Sequence, residues 1–250
     1  MASKLHLTST LPLPKSCLTA FKAGYRHIDT AQYYANESSV GEAIRDSKIA
    51  RKDIDATYKS IEESVNKLAG EGGYVDLFLI HSPNGGKESR TLLWQALEMA
   101  KDRGKVRDIG VSNYGIAHIE ETKDIGKIWP PTVNQIELHP WCQQREIVEH
   151  CKNNSVVVEA YCPIVRNQKA DDKTLNEIAN KHKTSPNQVL IRYCLEKGWV
   201  PLPKSDTPER IEKNANVFGF ELDDKDIKSL DGLDQGNSGA IVQAVSNSSR

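Results

Sequence analysis

The chain has 250 residues, 38% of them hydrophobic, enough to bury one sizeable core, so one domain over residues 1–250 is the expectation. Its 33 Lys and Arg residues are interspersed with 34 Asp and Glu, and no basic stripe alternates with aromatic residues. That balance argues against nucleic acid or a membrane surface as a partner and leaves a small molecule as the expected one.

The first residues, MASKLHLTSTLPLPKS, carry no apolar h-region and no small-residue cleavage site, and no later apolar run is long enough to span a bilayer. A cytoplasmic protein, monomeric or weakly oligomeric, is expected. The five cysteines, Cys17, Cys142, Cys151, Cys162 and Cys194, are odd in number and contain no CxxC pair, so they should be reduced. His139, Cys142, His150 and Cys151 lie close in sequence, but their spacing fits no zinc pattern, and no metal is expected.

In chain order, CLTAFKAGYRH reads as a helix running toward a buried strand, Arg26-His27-Ile28, that ends in Asp29. Tyr34 follows five residues later, and Asn36-Glu37-Ser38 opens an amphipathic helix whose apolar positions are Val40, Ala43 and Ile44. Taken singly, Asp29 reads as a turn or helix N-cap residue and Tyr34 as a half-buried core aromatic. Beyond this point short apolar runs alternate with charged, periodic segments, which is the pattern of βα units and a parallel sheet. Strands are expected at 74–80, 106–111, 132–138, 155–161 and 199–202, and helices around 59–68, 90–101, 116–125, 144–153, 172–182 and 186–197. The residues from Asp234 onward, rich in Gly, Asn and Ser, read as a loosely attached tail over 234–250.

Polar residues interrupt these apolar strands almost only at their C-terminal ends: Asp29-Thr30, His81-Ser82, Ser112-Asn113, Gln135 and Glu137, Tyr161-Cys162 and Lys204-Ser205. In a (β/α) barrel that end builds the active site, because the βα loops converge there over a packed interior. Turn chemistry alone explains Ser112-Asn113, but explains His81, Gln135 and Lys204 poorly.

The stretch GYRHIDTAQYYANESSVGEAI matches the pattern GYRxIDTAxxYxNExxVG and is similar to the signature of the aldo-keto reductases. The resemblance continues from Cys17 onward through LFLIHSP, IGVSN, NQIELHPW, AYCPIV and PLPKSDTPERIEKN, and HSPNGGKESR and HPWCQQ look most like fungal members. It implies a (β/α)8 TIM-type barrel that reduces an aldehyde or ketone with NADPH. It further implies Tyr34, Asp29 and His81 as catalytic residues, and Ser112, Asn113 and Gln135 as the residues holding the nicotinamide carboxamide. Tyr161 would stack on the nicotinamide ring, while Lys204, Ser205, Thr207, Arg210 and Asn214 would take the 2′-phosphate and adenine. Asp29 would also line the cofactor site. The last group has a rationale of its own. A lysine and an arginine six apart, with hydroxyls between, at a strand end and the first turn of a helix, make an anion site, which favours NADPH over NADH.

A carbonyl that accepts hydride at carbon must gain a proton on oxygen, so the site needs a proton donor and a group that polarises the carbonyl. Tyr34, with a free pKa of about 10, is the donor expected, and His81 the polarising group. In the family a lysine beside the tyrosine lowers its pKa, and here the sequence departs. The family's FxTTK strand is missing, since DSKIARKDID passes directly into ATYKSIEESVNKL, and none of Lys48, Lys52 or Lys59 is placed to replace its lysine. A strand of the type GFGTY is likewise missing before CLTAF. The expectation is therefore an incomplete barrel without strands one and three. The alternative reading is a catalytically silent binding or interaction protein of the same ancestry.

Overall fold

The computed structural model describes residues 6–8, 14–25, 27–29, 37–46, 55–57, 61–84 and 86–245. Along the chain these form β1 (His6–Thr8), α1 (Pro14–Lys22), β2 (His27–Asp29), α2 (Glu37–Asp46), β3 (Asp55–Thr57), α3 (Ile61–Ala69), β4 (Val75–Ile80), α4 (Gly86–Asp102) and β5 (Val106–Ser112). There follow α5 (Ile116–Ile125), β6 (Val133–Glu137), α6 (Arg145–Asn153), β7 (Val157–Tyr161), α7 (Lys173–Lys181), α8 (Pro186–Glu196), β8 (Val200–Leu202), α9 (Pro208–Ala215) and α10 (Asp224–Asp231).

All paired strands are parallel, in the orders β1-β2-β3 and β4-β5-β6-β7-β8. β3 packs beside β4 and β1 beside β8, so the strands follow one another around a (β/α)8 barrel. At those two seams no ladder forms among the described residues, and the hydrogen-bonded sheet is incomplete there.

The expectation that strands one and three are missing is corrected. A three-residue strand occupies each place, with His6, Leu7 and Thr8 opposite His27, Ile28 and Asp29, and those in turn opposite Asp55, Ala56 and Thr57. The physical reason is the edge. Without neighbours, β2 would leave a row of backbone N–H and C=O groups unpaired on both sides, and any extended segment nearby is drawn into the ladder. Neither HLT nor DAT is long enough to show the alternation by which strands are recognised in sequence.

β4 and β6 are buried along their whole length, as expected of parallel strands covered on both faces. Trp94 and Leu97 of α4, Val111 of β5, Ile136 of β6 and Leu190 of α8 belong to one continuous core. Gly110 marks a tight approach, because a Cβ there would lie 2.7 Å from the Val133 carbonyl oxygen. Helix starts follow local chemistry. Ser185 and Gln188 form a capping box with Pro186 in the first turn of α8, and Asp223 and Asp226 form another on α10. Among the described residues no helix is long and apolar enough to cross a membrane.

The tail is also corrected. As far as 245 it is tied down: the Arg145 Nε donates to Asp234 at 2.9 Å, the Gln143 backbone N–H to Asp234 at 3.3 Å, and the Val245 N–H to the Gln144 side-chain oxygen at 2.9 Å. Gly239 sits so close to Trp141 that a Cβ would fall 1.8 Å from its carbonyl oxygen. The remaining residues, 246–250, lie outside the described ones.

Candidate active site

The C-terminal ends of β2, β4, β5, β6, β7 and β8 bring together the backbone of Asp29 with His81, Ser112, Asn113, Gln135, Tyr161, Lys204 and Ser205. Tyr34, the expected proton donor, lies outside the described residues.

Five of the expected residues form one hydrogen-bonded net. The Ser112 hydroxyl donates to the Gln135 carbonyl at 2.8 Å, and the Asn113 backbone N–H meets the same oxygen at 2.9 Å. The Asn113 side-chain nitrogen donates to the His81 carbonyl at 3.0 Å and to the Ser112 hydroxyl at 3.2 Å, and its oxygen accepts from the Tyr161 hydroxyl at 2.9 Å. Asn113 can do all this because its backbone turns at φ +59°, a left-handed conformation that asparagine tolerates better than most residues. Ser112, Asn113 and Gln135 are buried, whereas His81 and Tyr161 are half-buried. Buried amides with fixed partners suit the recognition of a carboxamide, and a half-buried aromatic ring suits stacking against a flat heterocycle.

The second group sits where β8 runs into α9. Thr207 caps α9, Pro208 occupies its first turn, and the Thr207 N–H donates to the Ser205 hydroxyl at 3.3 Å. Ser205 and Asn214 are buried, Arg210 is exposed, and the Lys204 ammonium lies against the Asp206 carboxylate. Two cations, a buried hydroxyl and a helix start fit a phosphate, but Asp206 places an anion among them. A cleft of about 250 Å³ opens between the loop after β7 and the start of α8, lined by Ile164, Asn167, Leu175, Ser185 and Leu190 among others, none of them an expected site residue.

Sequence reasoning missed Glu159, Asp206 and Gln144, and singled out Glu137 only as a polar strand end, although all four shape this end of the barrel. Glu159, buried on β7, accepts from the Gln135 side-chain nitrogen at 2.9 Å and so orients that amide. Its signal was an acid inside an apolar strand. Asp206 was visible as an acid within a basic run. Glu137 and Gln144 hold the tail, and their partners lie about a hundred residues away in sequence. Burial pushes the Glu137 carboxyl up, but the hydrogen bond from His139 and three backbone N–H groups outweigh it and hold the carboxyl below its ordinary range. The thiols of Cys142 and Cys151 are pushed up to about 12 and about 11 by burial, which disfavours the thiolate a metal would need. Among the described residues no three His, Cys, Asp or Glu side chains are grouped to hold a metal ion.

The sequence profile of the Aldo/keto reductase family matches residues 15–235. The chain is 43% identical to an uncharacterized oxidoreductase of Schizosaccharomyces pombe over 236 residues, covering 88% of this chain and 84% of that one. It is 38% identical to the glyoxal reductase of Bacillus subtilis over 234 residues, covering 88% and 83%. Among solved structures, an aldo-keto reductase enzyme from a Medee basin deep-sea metagenome library superposes with a TM-score of 0.88 at 36% identity, covering 94% of this chain and 92% of that one. A Bombyx mori aldo-keto reductase in complex with NADP superposes with a TM-score of 0.85 at 30% identity, covering 96% and 91%. With the barrel and the polar net at its mouth, these likenesses make the chain a member of the aldo/keto reductase family and thereby an oxidoreductase.

Proposed function

We propose that the chain reduces an aldehyde or ketone to the alcohol in an NADPH-dependent reaction, with Tyr34 as the proton donor. The observation that carries this reading is the net joining His81, Ser112, Asn113, Gln135 and Tyr161 at one end of the barrel. Ser112, Asn113 and Gln135 would hold the nicotinamide carboxamide and Tyr161 would cover one face of the ring, with Asp29 lining the same site. Lys204, Ser205, Thr207, Arg210 and Asn214 would take the adenosine end, Lys204 and Arg210 meeting the 2′-phosphate. When bound, NADPH supplies the hydride that adds to the carbonyl carbon. The carbonyl oxygen takes the Tyr34 phenolic proton, and His81 polarises that oxygen beforehand. Asp29 completes the proposed catalytic set with Tyr34 and His81. The protein is expected to act in the cytoplasm as a monomer or weak oligomer.

The test is NADPH oxidation with a panel of aldehydes, glyoxal included because a glyoxal reductase is among the relatives. Absence of both NADPH binding and NADPH oxidation would overturn the reading.

One observation favours a second reading, a catalytically silent binding protein. β3 carries Asp55, Ala56 and Thr57, and so brings no lysine to the strand beside Asp29. NADPH binding without turnover of any aldehyde would select it.

A further inference from the structure

We propose that Glu137 anchors residues 241–243 as a fixed strap across the barrel mouth between β6 and β7, and through the strap positions Tyr161. Glu137 is the last residue of β6 and is fully buried. One carboxylate oxygen accepts from the Ile241 N–H at 2.5 Å and faces the His139 Nε2 at 2.9 Å. The other accepts from the Val242 N–H at 2.8 Å and the Gln243 N–H at 2.6 Å. A carboxylate offers about four lone-pair sites, and all four are taken.

Three successive backbone N–H groups converging on one anion make the kind of nest that binds a carboxylate or phosphate. Here the anion is the chain's own side chain. Charge-assisted bonds of this type are about twice as strong as neutral ones, and three in a row fix the segment residue by residue, so that it cannot slide by one position without breaking all of them. Gln144 adds a bracket: its side-chain nitrogen donates to the Glu137 carbonyl at 2.7 Å and its oxygen accepts from the Val245 N–H at 2.9 Å.

The strap reaches the site through Tyr161. Glu137 and Tyr161 are partners in the β6–β7 ladder, and the Gln243 carbonyl oxygen lies 3.4 Å from the Tyr161 hydroxyl, whose better partner is Asn113 at 2.9 Å. The tyrosine is thus held between the net on β5 and the strap, and the strap can stay there only while the Glu137 carboxylate is charged and in place. Glu137 is therefore a positioning residue, and its link to cofactor handling rests on the function proposed above.

The variant Glu137→Gln keeps the shape but sets an NH2 group against N–H donors. We expect amide hydrogen exchange at Ile241, Val242 and Gln243 to accelerate at least tenfold while Phe78 and Ile109 in the core keep their protection. The KM for NADPH should rise by about tenfold with kcat changed less than threefold. Exchange at the three amides unchanged within twofold overturns the anchor, and exchange accelerated with KM for NADPH unchanged overturns the positioning of Tyr161. If neither protein uses or binds NADPH, the functional reading falls, while the exchange measurement still decides the anchor and the ring signals of Tyr161, read by NMR in the ligand-free proteins, decide the positioning. Should the variant not fold, the unmodified chain is titrated with acid by NMR. Glu137 is faced by His139, Cys142 and Cys162 besides the strap, and its side-chain carbon and the three amides should then share one midpoint below the ordinary carboxylate range. Amides that stay protected while that carboxyl protonates overturn the proposal.

Discussion

The hydroxyl of Tyr161 on β7 donates to the side-chain oxygen of Asn113, 2.9 Å away on the loop after β5. Asn113 is in turn bonded to the His81 carbonyl and the Ser112 hydroxyl, so one residue joins three strand ends. Asn113→Ala should destabilise the fold by about 2–4 kcal/mol, combining buried hydrogen bonds left unmade with a left-handed backbone that alanine resists. Asn113→Gly removes the same side chain but accepts the backbone, so it should recover about 1 kcal/mol of that loss. Chemical denaturation checks both, and equal losses would show that the backbone at φ +59° carries no strain.

If Lys204 meets the 2′-phosphate as proposed, its contact with Asp206 works against that binding. Asp206→Ala frees the lysine and should tighten NADPH up to about fivefold, the range of a partly exposed ion pair, with NADH unchanged. Arg210→Ala should weaken NADPH by roughly tenfold or more and leave NADH nearly untouched, because an arginine on a phosphate is an oriented, charge-assisted contact. Fluorescence titration of the four combinations decides. Equal effects on the two cofactors would place the 2′-phosphate elsewhere.

Acid stability should depend on Asp226. Burial pushes its carboxyl up, but hydrogen bonds from Lys181 and His182 at 2.8 and 2.7 Å outweigh this and hold it below its ordinary value. A carboxyl lowered in the folded state adds stability that is fully present above its unfolded pKa, about 3.9, and is lost as pH falls through the folded value. The thermal midpoint should therefore drop steeply below about pH 4 in the parent chain, and Asp226→Asn should flatten that limb while lowering the midpoint at neutral pH. An unchanged acid slope in the variant would assign the limb to other carboxyls.

Legibility in the sequence followed the range of the interactions. β4 could be read because it is a largely apolar run buried along its length, β5 to β8 because short segments with apolar residues alternate there with charged, periodic ones, and α8 because Ser185, Pro186 and Gln188 write its start locally. The site residues on these strands could be read for the same reason, as polar interruptions of apolar runs. β1 and β3 could not, since His6–Thr8 and Asp55–Thr57 are strands only through pairing with β2. Nor could the hold on the tail, whose Gly, Asn and Ser content reads as coil while its anchors, Glu137 at the end of β6 and Gln144 and Arg145 at the start of α6, are distant in sequence.

The pairing of β2 with β3 changes what a single substitution can be expected to do. Without β3, a lysine introduced at 56 or 57 would stand on an unsupported connection, too loosely held to serve the proton donor. In the structure Thr57 is the ladder partner of Asp29, and Ala56 the partner of Ile28. Adjacent parallel strands lie about 4.8 Å apart and residues in register share a face, while successive residues alternate faces. Thr57→Lys therefore puts an ammonium group on the face shared with Asp29, whereas Ala56→Lys puts it on the opposite one. A cation there lowers the pKa of a neighbouring phenol and offsets the charge of the aspartate. Positioned acid-base catalysis is worth roughly 10² to 10⁴-fold, and a lysine on a three-residue strand should recover part of it. We expect the parent chain to turn over aldehydes slowly with NADPH, Thr57→Lys to be about 10 to 100-fold faster, a fraction of that range, and Ala56→Lys to match the parent. The pH profile of the Thr57→Lys protein should shift its basic limb downward as the phenol pKa falls. Equal rates for the two lysine variants would mean that the face chosen by the β2–β3 register does not reach the proton donor, and a parent chain already as fast as Thr57→Lys would mean that another group does the lysine's work.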